Sequence, residues 1–311
     1  MLKSKDIPLL HDFAVVCEHG NLTRAAQELN TGQSAITQRM QRLEDVMGAK
    51  LLRRHSRGVH PTEQGEILLK YSRKLNALVV DAIAEVTAWE GSPSGAVSIG
   101  LPPSVSAVLT TPLIEAVNTA LPNVELTVAE AFSGYLEGWL ANDEIDFGFV
   151  FDRKSDATLE ITELATERLF LICHPEQAQT LPRQLGLKDL AGLPLIAPSR
   201  RHGLRTGVEA VAANRGLKLN IRLEVDAGHQ LIQQIERGVG AAVLARSAVM
   251  PELVDGRLIA LPIVDPVFER TVCLALRKEK ADSYLLKRVQ YEMLTVVRHL
   301  IVSKTWPAEL L

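Results

Sequence analysis

Residues 22–44 restrict the fold more than any other stretch of this chain, because they show the pattern of two short helices joined by a tight turn. Thr23 is placed to cap the first helix, since its hydroxyl can accept a hydrogen bond from a backbone N–H one turn on. Gly32 lies where the backbone has to turn. Apolar residues recur at helical spacing in both halves: Ala25, Ala26, Leu29, Ala35, Ile36, Met40 and Leu43.

The second helix of this hairpin turns a polar face outward. The residues on that face are Gln33, Ser34, Thr37, Gln38, Gln41 and Arg42. Short amides and hydroxyls pair with base edges and phosphates, and a single helix fits the major groove of DNA. A surface hairpin in any globular protein would show the same spacing, so the hairpin alone favours neither interpretation.

The segment that follows favours DNA binding. Residues 53–65 read Arg-Arg-His-Ser-Arg-Gly-Val-His-Pro-Thr-Glu-Gln-Gly, an order that is typical of the β-hairpin wing in a winged helix-turn-helix. With the hairpin before it, the segment resembles the LysR-type transcriptional regulators, and the resemblance continues in weaker form along the whole chain. The nearest branch is the nitrogen-assimilation-control group. The matching residues are Phe13 to Gly20, Leu22 to Ala26, Gln33 to Gln38, Leu43-Glu44, Gly48, Leu51-Leu52, Arg54, Arg57 to Glu63, Gln64-Gly65 and Val97 to Leu101.

The resemblance implies contacts to double-stranded promoter DNA. Residues expected to approach bases are Gln33, Ser34, Thr37 and Gln38, with Thr23 and Arg24 on the helix before them. Arg39 and Arg42 are expected near phosphates, and Arg54 and Arg57 of the wing near the backbone or the minor groove. Thr31-Gly32 replaces a serine-capped turn that is common in relatives, which predicts a less rigid start of the recognition helix.

The distribution of charge agrees with a DNA-binding head. The chain has a net charge of −3, but residues 1–65 hold nine Lys and Arg against seven Asp and Glu, and four of the eight histidines. A small basic head on an acidic body fits a DNA module fused to a domain with another purpose. At 311 residues the chain has room for two or three domains with cores of their own.

Enzymatic function finds little support in the sequence. Cys17, Cys173 and Cys273 lie far apart in apolar runs without metal or redox spacing, so we expect buried thiols. A glycine-rich phosphate loop and a His/Glu metal cluster are both missing, and no cofactor or metal is expected. The acidic run at 142–146 precedes a strand and is expected to be a solvated turn. The chain begins directly with an amphipathic helix, so we expect a cytoplasmic, nucleoid-associated protein without a secretory signal or a membrane span.

A long helix is predicted to connect the head to the rest of the chain. Thr62 is a good N-cap for a helix that reaches about Trp89. Its apolar residues form a narrow stripe like the a/d seam of a coiled coil: Leu68, Tyr71, Leu75, Leu78, Ala82, Val86 and Trp89. The helix could instead pack on its own domain, but a dimer contact is favoured, and the resemblance implies an antiparallel pairing within a homodimer or homotetramer.

After the boundary at 91–95 the pattern changes to alternating strands and helices, which predicts mainly parallel sheets covered on both faces. Predicted strands are Ala96–Gly100, Val124–Glu130, Ile145–Val150, Leu169–His174, Pro194–Ala197, Leu219–Val225, Ala241–Leu244 and Val272–Leu276. The resemblance implies a two-lobed effector domain like the periplasmic binding proteins (type 2). The expected divisions are residues 1–61 for the winged helix-turn-helix, 62–90 for the linker helix and 91–311 for the effector domain. Its first lobe would cover about 92–163 and 270–303, and its second about 168–265.

Four predicted turns follow strands and open helices, where open α/β sheets collect ligands. Hydroxyl and N–H groups at such turns bind carboxylate or phosphate oxygens, and Arg200, Arg201 and Arg205 would add positive charge. The turns match the effector cleft of the family, which together with their chemistry implies a small organic anion between the lobes. The residues assigned to this site are Pro102, Ser104, Ser133, Ser199, Arg200, Gly228 and His229.

Other interpretations stay open for this cleft. Each serine can equally cap a helix, Arg200 and Arg201 can form a solvated loop, and His229 can be an ordinary helix start. Relatives often have Ser or Thr where Ala227 and Gly228 stand, so ligand contacts there would come from the backbone. The whole pattern predicts a transcriptional regulator that contacts RNA polymerase. The alternatives are a regulator that acts without a ligand and a cytoplasmic two-lobed solute-binding protein.

Overall fold

The computed structural model describes residues 6–55, 58–87, 93–155, 157–200 and 202–311. The chain divides into two compact units, Met1–Trp89 and Glu90–Leu311. Each unit has its own hydrophobic core.

The N-terminal unit is a winged helix-turn-helix followed by a long helix. Its elements are α1 (Pro8–His19), α2 (Leu22–Glu28), α3 (Gln33–Met47), β1 (Leu52–His55), β2 (Gly58–Pro61) and α4 (Glu63–Thr87). Phe13 of α1, Ile36 of α3 and Leu43 of α3 are fully buried at the centre of its core. The helical hairpin and the wing that the sequence predicts are therefore present.

The cap of α2 differs from the sequence prediction. Asn21, not Thr23, caps the helix: its Oδ1 accepts hydrogen bonds from the backbone N–H groups of Thr23 at 2.8 Å and Arg24 at 3.1 Å. Because α2 already begins at Leu22, Thr23 lies inside its first turn. Asn30, not Gly32, takes the left-handed backbone conformation of the turn. Gly32 is extended and precedes α3, which begins without a side-chain cap.

The wing and the start of α4 are fixed by short contacts. β1 and β2 pair antiparallel, with Arg53 opposite His60. Gly58 has a positive φ, and a Cβ there would lie 2.3 Å from the carbonyl oxygen of Gly20, so only glycine fits. The predicted cap of α4 is confirmed, because Thr62 Oγ1 accepts a hydrogen bond from the N–H of Gly65 at 3.0 Å. The structure describes α4 as far as Thr87, and Trp89 lies outside the described residues.

The C-terminal unit alternates strands and helices around a curled mixed sheet. Its strands are β3 (Gly95–Leu101), β4 (Val124–Glu130), β5 (Phe147–Phe151), β6 (Leu159–Cys173), β7 (Leu185–Gly186), β8 (Leu195–Ala197), β9 (Ile221–Glu224), β10 (Ala242–Ala245), β11 (Ile259–Asp265), β12 (Glu269–Arg277) and β13 (Glu309–Leu310). Its α-helices are α5 (Pro103–Ala120), α6 (Ser133–Ala141), α7 (Pro175–Gln179), α8 (Leu187–Ala191), α9 (Gly203–Asn214), α10 (Gly228–Glu236), α11 (Met250–Val254) and α12 (Tyr284–Val302).

One long strand, β6, takes part in the sheets of both lobes of this unit. The first half of β6 joins the first-lobe sheet, ordered β4-β3-β5-β12-β6, and its second half pairs with β10 and β11 of the second lobe. The prediction of mainly parallel sheets is wrong. β3 is parallel to β4 and β5, but β12 runs antiparallel to both β5 and β6. The chain leaves the first lobe through β6 and re-enters it through β12, which pairs with β6 in the opposite direction.

Separate cores hold the two lobes. In the first lobe, α5 and α12 cover the sheet around Phe147 and Phe149. In the second lobe, apolar residues of β6, β8 and β10 pack against α9 and α10. None of the helices that the structure describes combines the length and the apolar character that a membrane span requires.

Candidate functional site

The N-terminal unit presents a polar face on α3. Ile36, Met40 and Leu43 bury the opposite side of this helix, which leaves Gln33, Ser34 and Gln38 exposed. None of these three polar side chains has a hydrogen-bond partner among the described residues, so their amides and hydroxyl are free to meet a ligand. Thr37 is half-buried, and its Oγ1 donates to the carbonyl oxygen of Gln33 at 2.9 Å.

The two arginines of α3 hold the helix in place. Arg39 pairs with the buried carboxylate of Asp12 at 3.1 Å, and Arg42 pairs with that of Asp6 at 2.5 Å. Both guanidinium groups remain about half exposed. Since a guanidinium carries five N–H donors, each arginine can keep this ion pair and still contact a phosphate.

The remaining predicted DNA contacts belong to α2 and to the wing. Thr23 and Arg24 are exposed in the first turn of α2, and Arg53 and His55 are exposed on β1. The side chain of Arg54 and all of Arg57 lie outside the described residues.

The C-terminal unit encloses a cavity of about 270 Å³ between its lobes. The first lobe contributes the end of β4 and the start of α5, and the second contributes α10, α11 and the turn before α9. Its polar lining residues are Ser104, Ser106, Glu130, His202, His229, Glu252 and Arg270. A second cavity of about 420 Å³, lined by Ser133, Gly134 and Phe151 among others, shares Arg270 and Leu204 with the first.

A buried ion pair lies beside both cavities. Arg270 on β12 is 6% exposed and Glu167 on β6 is 1% exposed. Arg270 donates to Glu167 Oε2 from Nη2 at 2.6 Å and from Nε at 2.9 Å, and its Nη2 also donates to Ser104 Oγ at 2.7 Å. Its guanidinium lies 3.7 Å from the ring centroid of Phe151. The positive charge of Arg270 is therefore matched by the negative charge of Glu167.

The remaining oxygen of Glu167 ties in two further parts of the unit. Ser247, in the 3₁₀ turn Arg246–Val249, donates to Glu167 Oε1 at 2.6 Å, and Trp306 Nε1 donates to the same oxygen at 2.7 Å. Ser104 of the first lobe and Ser247 of the second thus meet at one buried carboxylate and its arginine. The sequence did not indicate this network, because Glu167 and Arg270 both lie outside the predicted strands Leu169–His174 and Val272–Leu276.

His202 and Phe132 meet across the cleft. Their rings are edge-to-face with centroids 4.5 Å apart, and each residue stands at the start of a helix, α9 and α6. Burial and, to a smaller extent, the charge of Arg270 lower the pKa of His202 to about 4, so the imidazole is neutral near neutral pH. Its Nδ1 accepts from the N–H of Leu204 at 3.2 Å, which leaves the proton on Nε2. The ligand-binding turn predicted from the sequence ended at Arg201 and did not include His202.

The structure separates the residues that the sequence assigned to one effector site. Pro102, Ser104, Gly228 and His229 line the first cavity, whereas Ser133 lines the second.

Ser199 and Arg200 line neither cavity, so the structure does not bring them together with the other residues assigned to this site. The backbone N–H of Ser199 donates to Asp226 at 2.7 Å, and Arg200 pairs with Glu209 of α9 at 3.1 Å. Arg205 pairs with Glu209 and Glu224 and also lines neither cavity, while Arg201 lies outside the described residues. Arg200 and Arg205 each pair with a carboxylate of the protein. They therefore do not supply the positive charge that was expected to bind an organic anion.

Comparisons with known proteins cover both units. Residues 7–66 match the bacterial regulatory helix-turn-helix proteins of the lysR family, and residues 90–292 match the LysR substrate binding domain. The nitrogen assimilation regulatory protein nac of Escherichia coli K12 is 30% identical over 76% of this chain and 77% of nac. The HTH-type transcriptional regulator BbuR of Bordetella bronchiseptica is 26% identical over 97% of this chain and 93% of BbuR. Among solved structures, ArgP from Mycobacterium tuberculosis superposes with a TM-score of 0.71 at 20% identity, covering 96% of this chain and 98% of ArgP.

Proposed function

The chain belongs to the LysR family of DNA-binding transcriptional regulators, which are not enzymes, and we propose that its α3 reads promoter DNA under the control of a small molecule held between the lobes. The observation that carries this proposal is the exposed polar face of α3. Amide and hydroxyl groups without a protein partner are matched to base edges in a major groove, which admits one helix.

Within this proposal, the DNA contacts divide into two kinds. Gln33, Ser34 and Gln38 read bases because their side chains are exposed and free. Arg54 and Arg57 of the wing contact the DNA backbone or the minor groove, and the exposed parts of Arg39 and Arg42 contact phosphates. Contacts to phosphate fix the position of the protein, whereas contacts to bases select the sequence.

Paired variants test this division. Gln33→Ala is expected to lower affinity for the cognate site by about 1–3 kcal/mol while changing affinity for random DNA little. Arg57→Ala is expected to weaken binding to both DNAs alike and to reduce the dependence of binding on salt. Gln179→Ala, an exposed glutamine of α7, is the matched control. Fluorescence anisotropy with both duplexes measures these effects, and equal losses on both duplexes for Gln33→Ala would contradict base reading.

The linker helix supports assembly into dimers. Tyr71, Leu75, Leu78 and Val86 of α4 expose large apolar side chains, and Leu78 is 65% and Val86 75% exposed. Apolar stripes of this kind are buried by a partner helix in coiled coils. We infer a homodimer through α4, and a homotetramer as its doubled form. Sedimentation velocity of the full chain tests the inference, and a monomer at working concentration would contradict it.

The cavity and the ion pair beside it support a sensing role. A molecule in the cavity lies against Ser104, which is hydrogen-bonded to Arg270 and through it to Glu167 and Ser247. Binding that changes this contact alters the packing of the two lobes, and a ligand shifts the protein toward the arrangement that it binds better. The roles follow the divisions 1–61 for reading DNA, 62–90 for pairing and 91–311 for sensing.

Two further parts of the proposal follow from the DNA partner. A regulator bound at a promoter lies beside RNA polymerase and is placed to contact it. A protein that works on chromosomal DNA is cytoplasmic and nucleoid-associated, which microscopy of a fluorescently tagged chain would test.

A further inference from the structure

The charges around the inter-lobe cavity restrict the class of molecule that it accepts. Taking as premise the proposed role of this cavity as the sensing site, we propose that its ligand is a mainly apolar molecule, such as a substituted ring, that carries no negative charge. Four observations support this: the ion pair of Arg270, two carboxylates in the lining, the few backbone donors of α5, and the apolar walls of the cavity.

Arg270 is the only lysine or arginine that lines the cavity within the described part of the chain. Glu167 holds that guanidinium with two hydrogen bonds, Ser104 accepts a third, and the ring of Phe151 covers one face. Because the charge of Arg270 is compensated by the buried carboxylate of Glu167, the pair offers an anionic ligand no net positive charge.

Two carboxylates line the same cavity. Glu130 ends β4 and is exposed, with no ion-pair partner among the described residues, while Glu252 of α11 is half-buried. Arg257 approaches Glu252 only to 3.6 Å, and it is also shared with Glu236 and Asp255. An anionic ligand would therefore meet like charge, and the repulsion lowers its affinity relative to a neutral ligand of the same shape.

The start of α5 offers few backbone donors to an anion. Pro102 and Pro103 have no N–H, and the N–H groups of Val105 and Ser106 already donate to the carbonyl oxygen of Pro102, which leaves the N–H of Ser104 as the remaining donor of this turn. The N-terminus of α10 also faces the cavity at Gly228. Its dipole is equivalent to about half a charge, which is less than the full charges of Glu130 and Glu252.

The walls of the inter-lobe cavity are mainly apolar and favour an apolar ligand. The apolar side chains around the cavity are Ala107, Phe132, Leu204, Leu231, Ile232, Leu244, Ala245 and Ala248. An apolar cavity of about 150 Å³ holds benzene, so about 270 Å³ accommodates a ring with a substituent. The neutral imidazole of His202, whose Nε2 carries the proton, offers a hydrogen bond to an uncharged acceptor on that substituent.

A matched series of ligands tests the proposal on the full-length chain. Benzamide, benzylamine and benzoate share one ring and differ in the charge of the substituent. We expect benzamide and benzylamine to bind at least about tenfold more tightly than benzoate by calorimetric titration. Glu130→Gln should reduce the disadvantage of benzoate several-fold. Glu125→Gln, which removes the same charge from an exposed position on β4 away from the cavity, should not.

Benzoate binding as tightly as benzamide would overturn the proposal, and so would failure of both benzamide and benzylamine to bind up to their solubility limits. An unchanged disadvantage of benzoate in Glu130→Gln would also count against it. Duplex DNA binding by the same samples is measured in parallel. Failure of the unmodified chain to bind duplex DNA would contradict the proposed function. The order of affinity of the three ligands bears only on the chemistry of the cavity.

Discussion

Two regions of this molecule gather polar side chains, and the surroundings of those side chains differ. On α3, Gln33, Ser34 and Gln38 are exposed and have no protein partner within the described residues. Between β6 and β12, Glu167 and Arg270 are buried and hydrogen-bonded to each other and to their neighbours. A polar group that faces solvent at little cost is available for a partner, whereas a buried charged group that has all its partners holds structure together. The exposed side chains of α3 are thus available to a binding partner, whereas the Glu167–Arg270 pair and its hydrogen bonds join the two lobes.

Removing the buried carboxylate is expected to have the largest effect. Glu167→Ala leaves the guanidinium of Arg270 buried without its counter-charge, which should destabilise the C-terminal unit by about 3–5 kcal/mol. Urea denaturation of the full chain measures the loss. Glu160→Ala removes an exposed carboxylate from the same strand and should stay within about 0.5 kcal/mol.

A second variant separates charge from packing at this position. Glu167→Leu combined with Arg270→Met replaces the ion pair by apolar side chains and should recover most of the stability lost in Glu167→Ala. A double variant as unstable as Glu167→Ala alone would show that the hydrogen bonds to Ser247 and Trp306, rather than the paired charges, hold the lobes.

The pH dependence of stability should report on His202. Its pKa is lowered from 6.5 to about 4 in the folded chain, so between these values the unfolded chain binds more protons. The contribution to stability is fully present above pH 6.5 and is lost as the pH falls toward 4, by at most about 3 kcal/mol. Thermal denaturation across this range should show a shallower decline for His202→Gln. His299→Gln, at an exposed position on α12, should decline like the unmodified chain, and an equally steep decline in His202→Gln would break the assignment.

The smallest expected effect lies at the cap of α2. Asn21→Ala removes the oxygen that accepts from the N–H groups of Thr23 and Arg24, which should lower the stability of the N-terminal unit by about 0.5–2 kcal/mol. Thr23→Ala leaves that cap intact and should change stability by less than about 0.5 kcal/mol. Circular dichroism during urea denaturation compares the two variants, and a larger loss for Thr23→Ala would contradict the observed cap.

Features that depend on residues close together in the sequence could be predicted, whereas features that depend on distant residues could not. The hairpin of α2 and α3 and the cap at Thr62 depend on residues within a few positions of each other, and the sequence predicted them correctly. Asn21 and Thr23 are both good caps two positions apart, so the exact helix start could not be chosen from residue type alone. Errors of this size are usual at helix ends.

Features that depend on distant residues were missed. The first half of β6 mixes exposed Glu160 with buried Leu159 and Leu164 without regular alternation, and it was not recognised as a strand. Glu167 and Arg270 are 103 residues apart, and only the antiparallel pairing of β6 with β12 brings them together. Arg200 shows the converse case. A cationic residue after a strand suggested a ligand contact, but the first turns of α9 place Glu209 within its reach.

The most direct test of the central claim is the binding of the full-length chain to duplex DNA over a range of salt concentrations. If the exposed face of α3 and the arginines of the wing contact DNA, the logarithm of the binding constant should fall steeply and linearly with the logarithm of salt concentration, because each neutralised phosphate releases counterions. Gln33→Ala should keep this slope and lose preference for the cognate site. Absence of DNA binding at low salt, or affinity that does not change with salt, would contradict the account.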